Sequence, residues 1–205
     1  MSAIAVKTPH GPARVHLRPV AGARAALVLG HGAGGGVGAG DLQAATQAAL
    51  AEGFAVALVE QPYRVAGRRA PAPAKQLDAA WAAVIERLRA AELGGLALVF
   101  GGRSLGARVA CRAAAAGGAA GVLCLAFPLL PPRRAAARRE PESRLAELEA
   151  VPVPTLVIQG ANDRFGIPPP APMRTVVKVA GDHSLRSDLP AVGEAVGGWM
   201  AGLAS

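Results

Sequence analysis

The chain has 205 residues, of which 52% are hydrophobic and 18% charged, enough for one domain with a substantial core and too apolar for a disordered chain. Aromatic residues make up only 3%, so the core must be built from Ala, Val and Leu. The formal charge of +8 invites a nucleic-acid reading, but most basic residues are Arg in an Ala/Gly/Arg/Pro-rich chain and the aromatic platforms on which single strands stack are nearly absent, so no nucleic-acid partner is expected.

Residues 14–20 alternate weakly, as an edge strand would. Residues 25–30 (Ala-Ala-Leu-Val-Leu-Gly) form an apolar run bounded by glycine, the pattern of a parallel strand buried on both faces. A glycine-rich loop follows, His31-Gly32-Ala33-Gly34-Gly35-Gly36. Asp41 then stands where it would cap a helix running to about Glu52, with Leu42, Thr46, Ala49 and Leu50 facing inward. Residues 54–59 are the next strand, and 61–75 a proline- and arginine-rich loop. Leu77, Trp81, Val84 and Leu88 recur at helical spacing.

Residues 96–100 are a strand, 105–116 a helix closed by Gly117-Gly118, and 121–127 a strand. Segment 128–150 carries Pro131-Pro132, the arginines 133, 134, 138 and 139, and a short helical pattern at Leu145 and Leu148. Its arginines are expected to form a solvated surface, with attraction of an anionic acyl group as the less favoured reading. Strands at 155–159 and 175–179 and a helix over 188–203 complete the chain. Strands alternating with helices define an α/β class, an open and mostly parallel sheet with helices on both faces, in a single domain over residues 1–205 without internal repeat.

No apolar run reaches the roughly 18 residues of a membrane span. Residues 1–10 lack a basic region followed by an apolar one, so the expectation is a cytoplasmic protein with no membrane partner. Cys111 and Cys124 lie in apolar settings without CxxC spacing and read as reduced core thiols. No His/Cys cluster suggests a metal, and no cofactor is expected.

In open α/β sheets the loops at the carboxyl ends of strands carry the site. Gly102-Arg103-Ser104-Leu105-Gly106 matches G-x-S-x-G between a strand and a helix. Two glycines let the strand and helix approach, so that Ser104 can be held strained with its hydroxyl exposed. A serine needs a base. Of the four histidines, only His183 lies in a loop after a late strand and before a helix. The base needs an orienting carboxylate. Asp163, in Gly160-Ala161-Asn162-Asp163, lies just beyond a strand, whereas Asp182 adjoins His183 and is better placed to bond local backbone. An oxyanion needs donors, for which the Leu105 N–H at a helix start and the Ala33 N–H, with Gly34 as the alternative, are the candidates. The glycine loop lacks the Gly-Lys-Ser/Thr ending of a phosphate-binding loop.

With these segments, and with Phe127-Pro128-Leu129-Leu130-Pro131-Pro132 and Gly181-Asp182-His183-Ser184-Leu185, the chain resembles the α/β-hydrolase superfamily over nearly its whole length. More narrowly, it resembles the small lid-less hydrolase-like proteins grouped with an animal testis-expressed protein and a subunit of a histone-acetylating complex. Dienelactone-hydrolase-like proteins are more distant. The resemblance implies the hydrolase sheet with Ser104, Asp163 and His183 as the triad. The prolines of segment 166–173 exclude the helix that usually crosses after the acid, so a compact crossover must do that job.

The expected activity is therefore hydrolysis of esters or similar small acyl compounds through an acyl-enzyme. The alternative is a hydrolase fold kept as a non-catalytic protein-binding module. Only segments 61–75 and 128–150 can overhang the site, which implies an open pocket and a small acyl substrate. Oligomeric state is not legible.

Overall fold

A computed structural model describes residues 2–132 and 142–203, so the arginines 133, 134, 138 and 139 lie outside the described residues. Eight strands form one sheet in the order β1-β2-β4-β3-β5-β6-β7-β8. The strands are β1 (Ser2–Thr8), β2 (Gly11–Arg18), β3 (Ala25–Gly30), β4 (Phe54–Glu60), β5 (Leu98–Arg103), β6 (Gly121–Leu125), β7 (Thr155–Gly160) and β8 (Arg174–Val179). β1 and β2 form an antiparallel hairpin whose inner strand joins β4, also antiparallel. From β4 to β8 all neighbours are parallel.

Strand alternation sorts the core into two faces. Ala26 and Val28 of β3, with Leu98 and Phe100 of β5, join the cluster under α3 (Ala74–Ala90) and α4 (Leu105–Ala113). Leu27 and Leu29, with Val99, join the cluster under α1 (Gly40–Ala51) and α6 (Leu189–Leu203). Trp81 and Phe100 meet edge to face with ring centroids 5.8 Å apart, the largest apolar pair in this aromatic-poor core.

Several boundaries differ from the sequence reading. β1 was not anticipated: its alternation buries only Val6 and Thr8, too weak a pattern to stand out. Segment 61–75 contains a short helix, α2 (Pro62–Val65), and α5 (Leu145–Glu149) lies at the expected short helical pattern. α4 stops at Ala113 rather than at 116. Asp41 does not cap α1. Ala39 holds the cap position, and Asp41 is buried in the first turn, where its Oδ1 accepts from the Leu42 amide at 2.9 Å and its Oδ2 lies 2.9 Å from Arg103 Nε, in an ion pair with the residue before Ser104. No helix is described between β7 and β8; residues 161–173 cross by turns, as the prolines require. Cys111 and Cys124 are buried free thiols with their sulfurs 3.5 Å apart. Among the described residues no helix is long and apolar enough to cross a membrane.

The sheet order reverses at β3: β4 lies on one side of it and β5 on the other. The crevice beyond their carboxyl ends is thus the topological switch point, the place where such folds hold ligands.

Candidate active site

At that switch point β5 gives way to α4 through Ser104, whose backbone sits at φ 52° and ψ −105°, a region that costs a non-glycine residue of order 1–3 kcal/mol. The close approach explains how the strain persists. A Cβ on Gly102 would lie 2.6 Å from both Gly30 O and Gly106 C, and one on Gly106 would collide with the Gly30 carbonyl. β3, β5 and α4 therefore meet backbone to backbone, and the Ser104 amide is pinned by a 2.9 Å bond to Leu125 O.

The structure brings Ser104, His183 and Asp163 together although 79 and 20 residues separate the bonded pairs along the chain. His183 Nε2 lies 3.0 Å from Ser104 Oγ, and His183 Nδ1 lies 2.7 Å from Asp163 Oδ2. A carboxylate only accepts, so Nδ1 carries the proton and Nε2 is left to accept from the serine. The Asp163 side chain is fully buried, whereas the His183 ring is 17% exposed. Two further donors complete the carboxylate: Gln159 Nε2 donates to Oδ2 at 2.7 Å and the Phe165 amide donates to Oδ1 at 2.9 Å. The Phe165 ring meets the imidazole edge-on, centroids 4.5 Å apart. Asp182, by contrast, accepts from the Ser184 amide and hydroxyl, the local role expected of it, and those bonds hold its carboxyl below the usual range.

Arg103 ties the site together. Beyond its ion pair with Asp41, its Nη2 donates to the His183 carbonyl at 3.1 Å, so the elbow grips the histidine loop. Burial raises the pKa of Asp41 more than the Arg103 charge lowers it.

The glycine loop is held from below. His31 is buried; its Nδ1 bonds Gly32 O at 2.8 Å and its Nε2 accepts from the Gln61 amide at 3.1 Å, which fixes one neutral tautomer. Burial lowers its pKa, against the opposing Gly32 bond. Tyr63 donates its hydroxyl to Ala33 O at 3.0 Å, and burial pushes that phenol up to about 12. The Ala33 and Leu105 amides donate to no protein group among the described residues. Both residues, with Gly34, line a cleft of about 430 Å³ that also exposes Ser104 and His183. Pro71 and Pro128 form parts of its wall, so both segments expected to overhang the site do so.

Five residues that shape this site escaped sequence reading as such: His31, Tyr63, Arg103, Gln159 and Phe165. His31 and Arg103 stood inside the motifs. The other three act through backbone carbonyls, an amide or a ring face, for which no sequence spacing is diagnostic.

A family profile described as an alpha/beta hydrolase domain matches residues 23–189. Among solved structures, Est1E from Butyrivibrio proteoclasticus is similar at 15% identity and a TM-score of 0.77, over 99% of each chain. A dienelactone hydrolase from Anabaena variabilis is similar at 16% identity and a TM-score of 0.75, over 97% of this chain and 95% of that one. A serine hydrolase without a lid from Xanthomonas campestris is 22% identical with a TM-score of 0.69, over 97% of this chain and 94% of that one. At such identities the likeness is one of fold. No curated protein sequence matches.

Proposed function

The chain belongs to the alpha/beta hydrolase domain family, and from that premise we propose that it is a serine hydrolase of the carboxylesterase type, acting on esters or similar small acyl compounds. One observation carries the reading: an unbroken relay from the Ser104 hydroxyl through His183 to a buried carboxylate. Ser104 Oγ attacks the substrate carbonyl while His183 Nε2 takes its proton. Asp163 holds the ring's tautomer and balances the imidazolium. The tetrahedral oxyanion is received by the Leu105 and Ala33 amides. The C–O bond to the alcohol then breaks and the imidazolium returns its proton to the leaving oxygen. Water, deprotonated by the same nitrogen, attacks the acyl-serine; the acyl C–O bond to Ser104 then breaks, the imidazolium returns the proton to Oγ, and the acid is released. None of these steps calls for a metal or an organic cofactor.

A cleft of about 430 Å³ that opens at the sheet rim supports small acyl substrates. The narrower kinship with the lid-less hydrolase-like group rests on the sequence segments that suggested it.

A fluorophosphonate probe tests the reading. We expect stoichiometric labelling of the folded protein, lost in Ser104→Ala, and turnover of p-nitrophenyl acetate. A folded protein that takes no label and turns over no ester would instead be a hydrolase fold kept for protein binding.

A further inference from the structure

Among the described residues, the cleft over Ser104 is lined by four arginines, Arg103, Arg108, Arg144 and Arg164, and by no carboxylate. Two of them are neutralised from behind. Arg103 is paired with Asp41, and Arg108 makes a bidentate pair with Glu147 at 2.6 and 2.8 Å. Arg144 and Arg164 have no carboxylate partner among the described residues. Arg164 is exposed, with its guanidinium 4.9 Å from the centroid of the Phe165 ring.

Arg144 is the unusual one. It is half-buried, and among the described residues its guanidinium makes one hydrogen bond, Nη1 to Pro128 O at 3.1 Å. Its own amide is fixed to Leu129 O at 2.8 Å, so the backbone of the residue is held beside the cleft. Among the described residues the charge around it does not balance. Arg108, Arg112 and Arg144 share two carboxylates, and both are already taken: Asp78 by Arg112, and Glu147 by Arg108 and, at 3.3 Å, by Arg112. Burial, and then repulsion from Arg108, push the pKa of Arg144 below the ordinary guanidinium value. A half-desolvated cation that lines the cavity where the substrate must sit, with four N–H donors that meet no protein acceptor among the described residues, calls for an anion.

We infer that Arg144 selects substrates that carry an ionised carboxylate of their own beside the ester that Ser104 attacks. The inference rests on the hydrolase reading above and narrows it to a substrate class. A planar carboxylate matches the guanidinium fork, and such charge-assisted bonds are the strong ones. The exposed charge of Arg164 adds a longer-range attraction at the mouth.

The test compares each of two charged esters with a neutral partner of similar size. Mono-4-nitrophenyl adipate against 4-nitrophenyl hexanoate places the charge on the acyl part. 4-Acetoxybenzoate against phenyl acetate places it on the leaving group. Rates are normalised to hydroxide-catalysed hydrolysis of each ester. At neutral pH and low ionic strength, kcat/KM should favour the charged member of at least one pair by about tenfold, the scale of one charge-assisted contact. Salt should erode the ratio, Arg144→Gln should collapse it towards one, and Arg144→Lys should keep part of it. No preference in either pair, or a preference that survives Arg144→Gln, overturns the inference. Should Arg144→Gln not fold, the Arg144→Lys variant and the salt dependence decide in its place. If none of the four esters is hydrolysed and no fluorophosphonate label is taken, the hydrolase reading fails by itself. The anion seat is then judged by calorimetric titration with adipate: saturable binding weakened in Arg144→Gln supports it, and absent or unchanged binding overturns it.

Discussion

Asp163 shows how much of a candidate catalytic arrangement lies in a single side chain's surroundings. Its two oxygens accept from an imidazole, a side-chain amide and a backbone amide, so each oxygen of this buried carboxylate has at least one donor. The set works only if the central group is an acceptor throughout. Asp163→Asn places an NH₂ against Gln159 Nε2, His183 Nδ1 or the Phe165 amide, all donors, and favours the wrong histidine tautomer. On the proposed mechanism kcat should fall by roughly 10⁴-fold, as in other triads, with the fold retained; a loss below about tenfold would assign the acid elsewhere. Asp163 was legible because the order serine, acid, histidine constrains it to a loop after a late strand. Gln159 was not legible: in sequence it is the last polar residue of an apolar strand, and only the fold shows that its amide also bonds Phe127 O and Gly166 O.

Among the elements, the elbow was the most readable and the hairpin the least. G-x-S-x-G can be read because the close approach of β3, β5 and α4 leaves room for nothing larger than hydrogen at two positions, and that requirement is written directly into residue type. The sequence does not say which backbone comes close; the structure answers with Gly30. Gly106→Ala drives a methyl into that carbonyl, where neither partner is a flexible side chain. We expect a loss of about 3 kcal/mol or more, seen as a lower denaturation midpoint at unchanged m-value. A variant within 0.5 kcal/mol of the parent, roughly the noise of a neutral surface change, would mean that the strand and helix can part without cost. β1 is the opposite case. It pairs along its full length with β2 yet buries only every second residue of its second half, so its strand identity comes from its partner.

The molecule as a whole carries buried and half-buried titratable groups, and their signs set its response to acid. Burial lowers the pKa of His31 from 6.5, so its neutral form supports the fold fully above that value and the support is lost as pH falls through the lowered one. Burial alone would raise Glu147 above 4.5, but Arg108 and Arg112 outweigh it, so its carboxylate contribution is present above 4.5 and disappears as pH falls through the depressed value. Asp41 opposes both, since its raised pKa makes ionisation costly above 3.8. Stability measured by denaturant midpoint should therefore decline in two stages on acidification. His31→Gln should remove the upper stage and Glu147→Gln the lower; a profile unchanged in both variants would place the acid sensitivity elsewhere. The architecture at this scale was legible because alternating strands and helices admit few topologies, while the charge pairing across α3, α4 and α5 was not, since residues such as Asp78, Arg112 and Glu147 meet only after folding. The crossover from β7 to β8 is the economy of the design. Prolines 168, 169, 170 and 172 have their φ angles fixed by covalent rings, so this stretch surrenders little freedom when the chain orders. The acid-bearing turn thus hangs from a stiff strap instead of a packed cylinder, and the stiffness that a helix would supply by its hydrogen bonds is here built into the covalent rings.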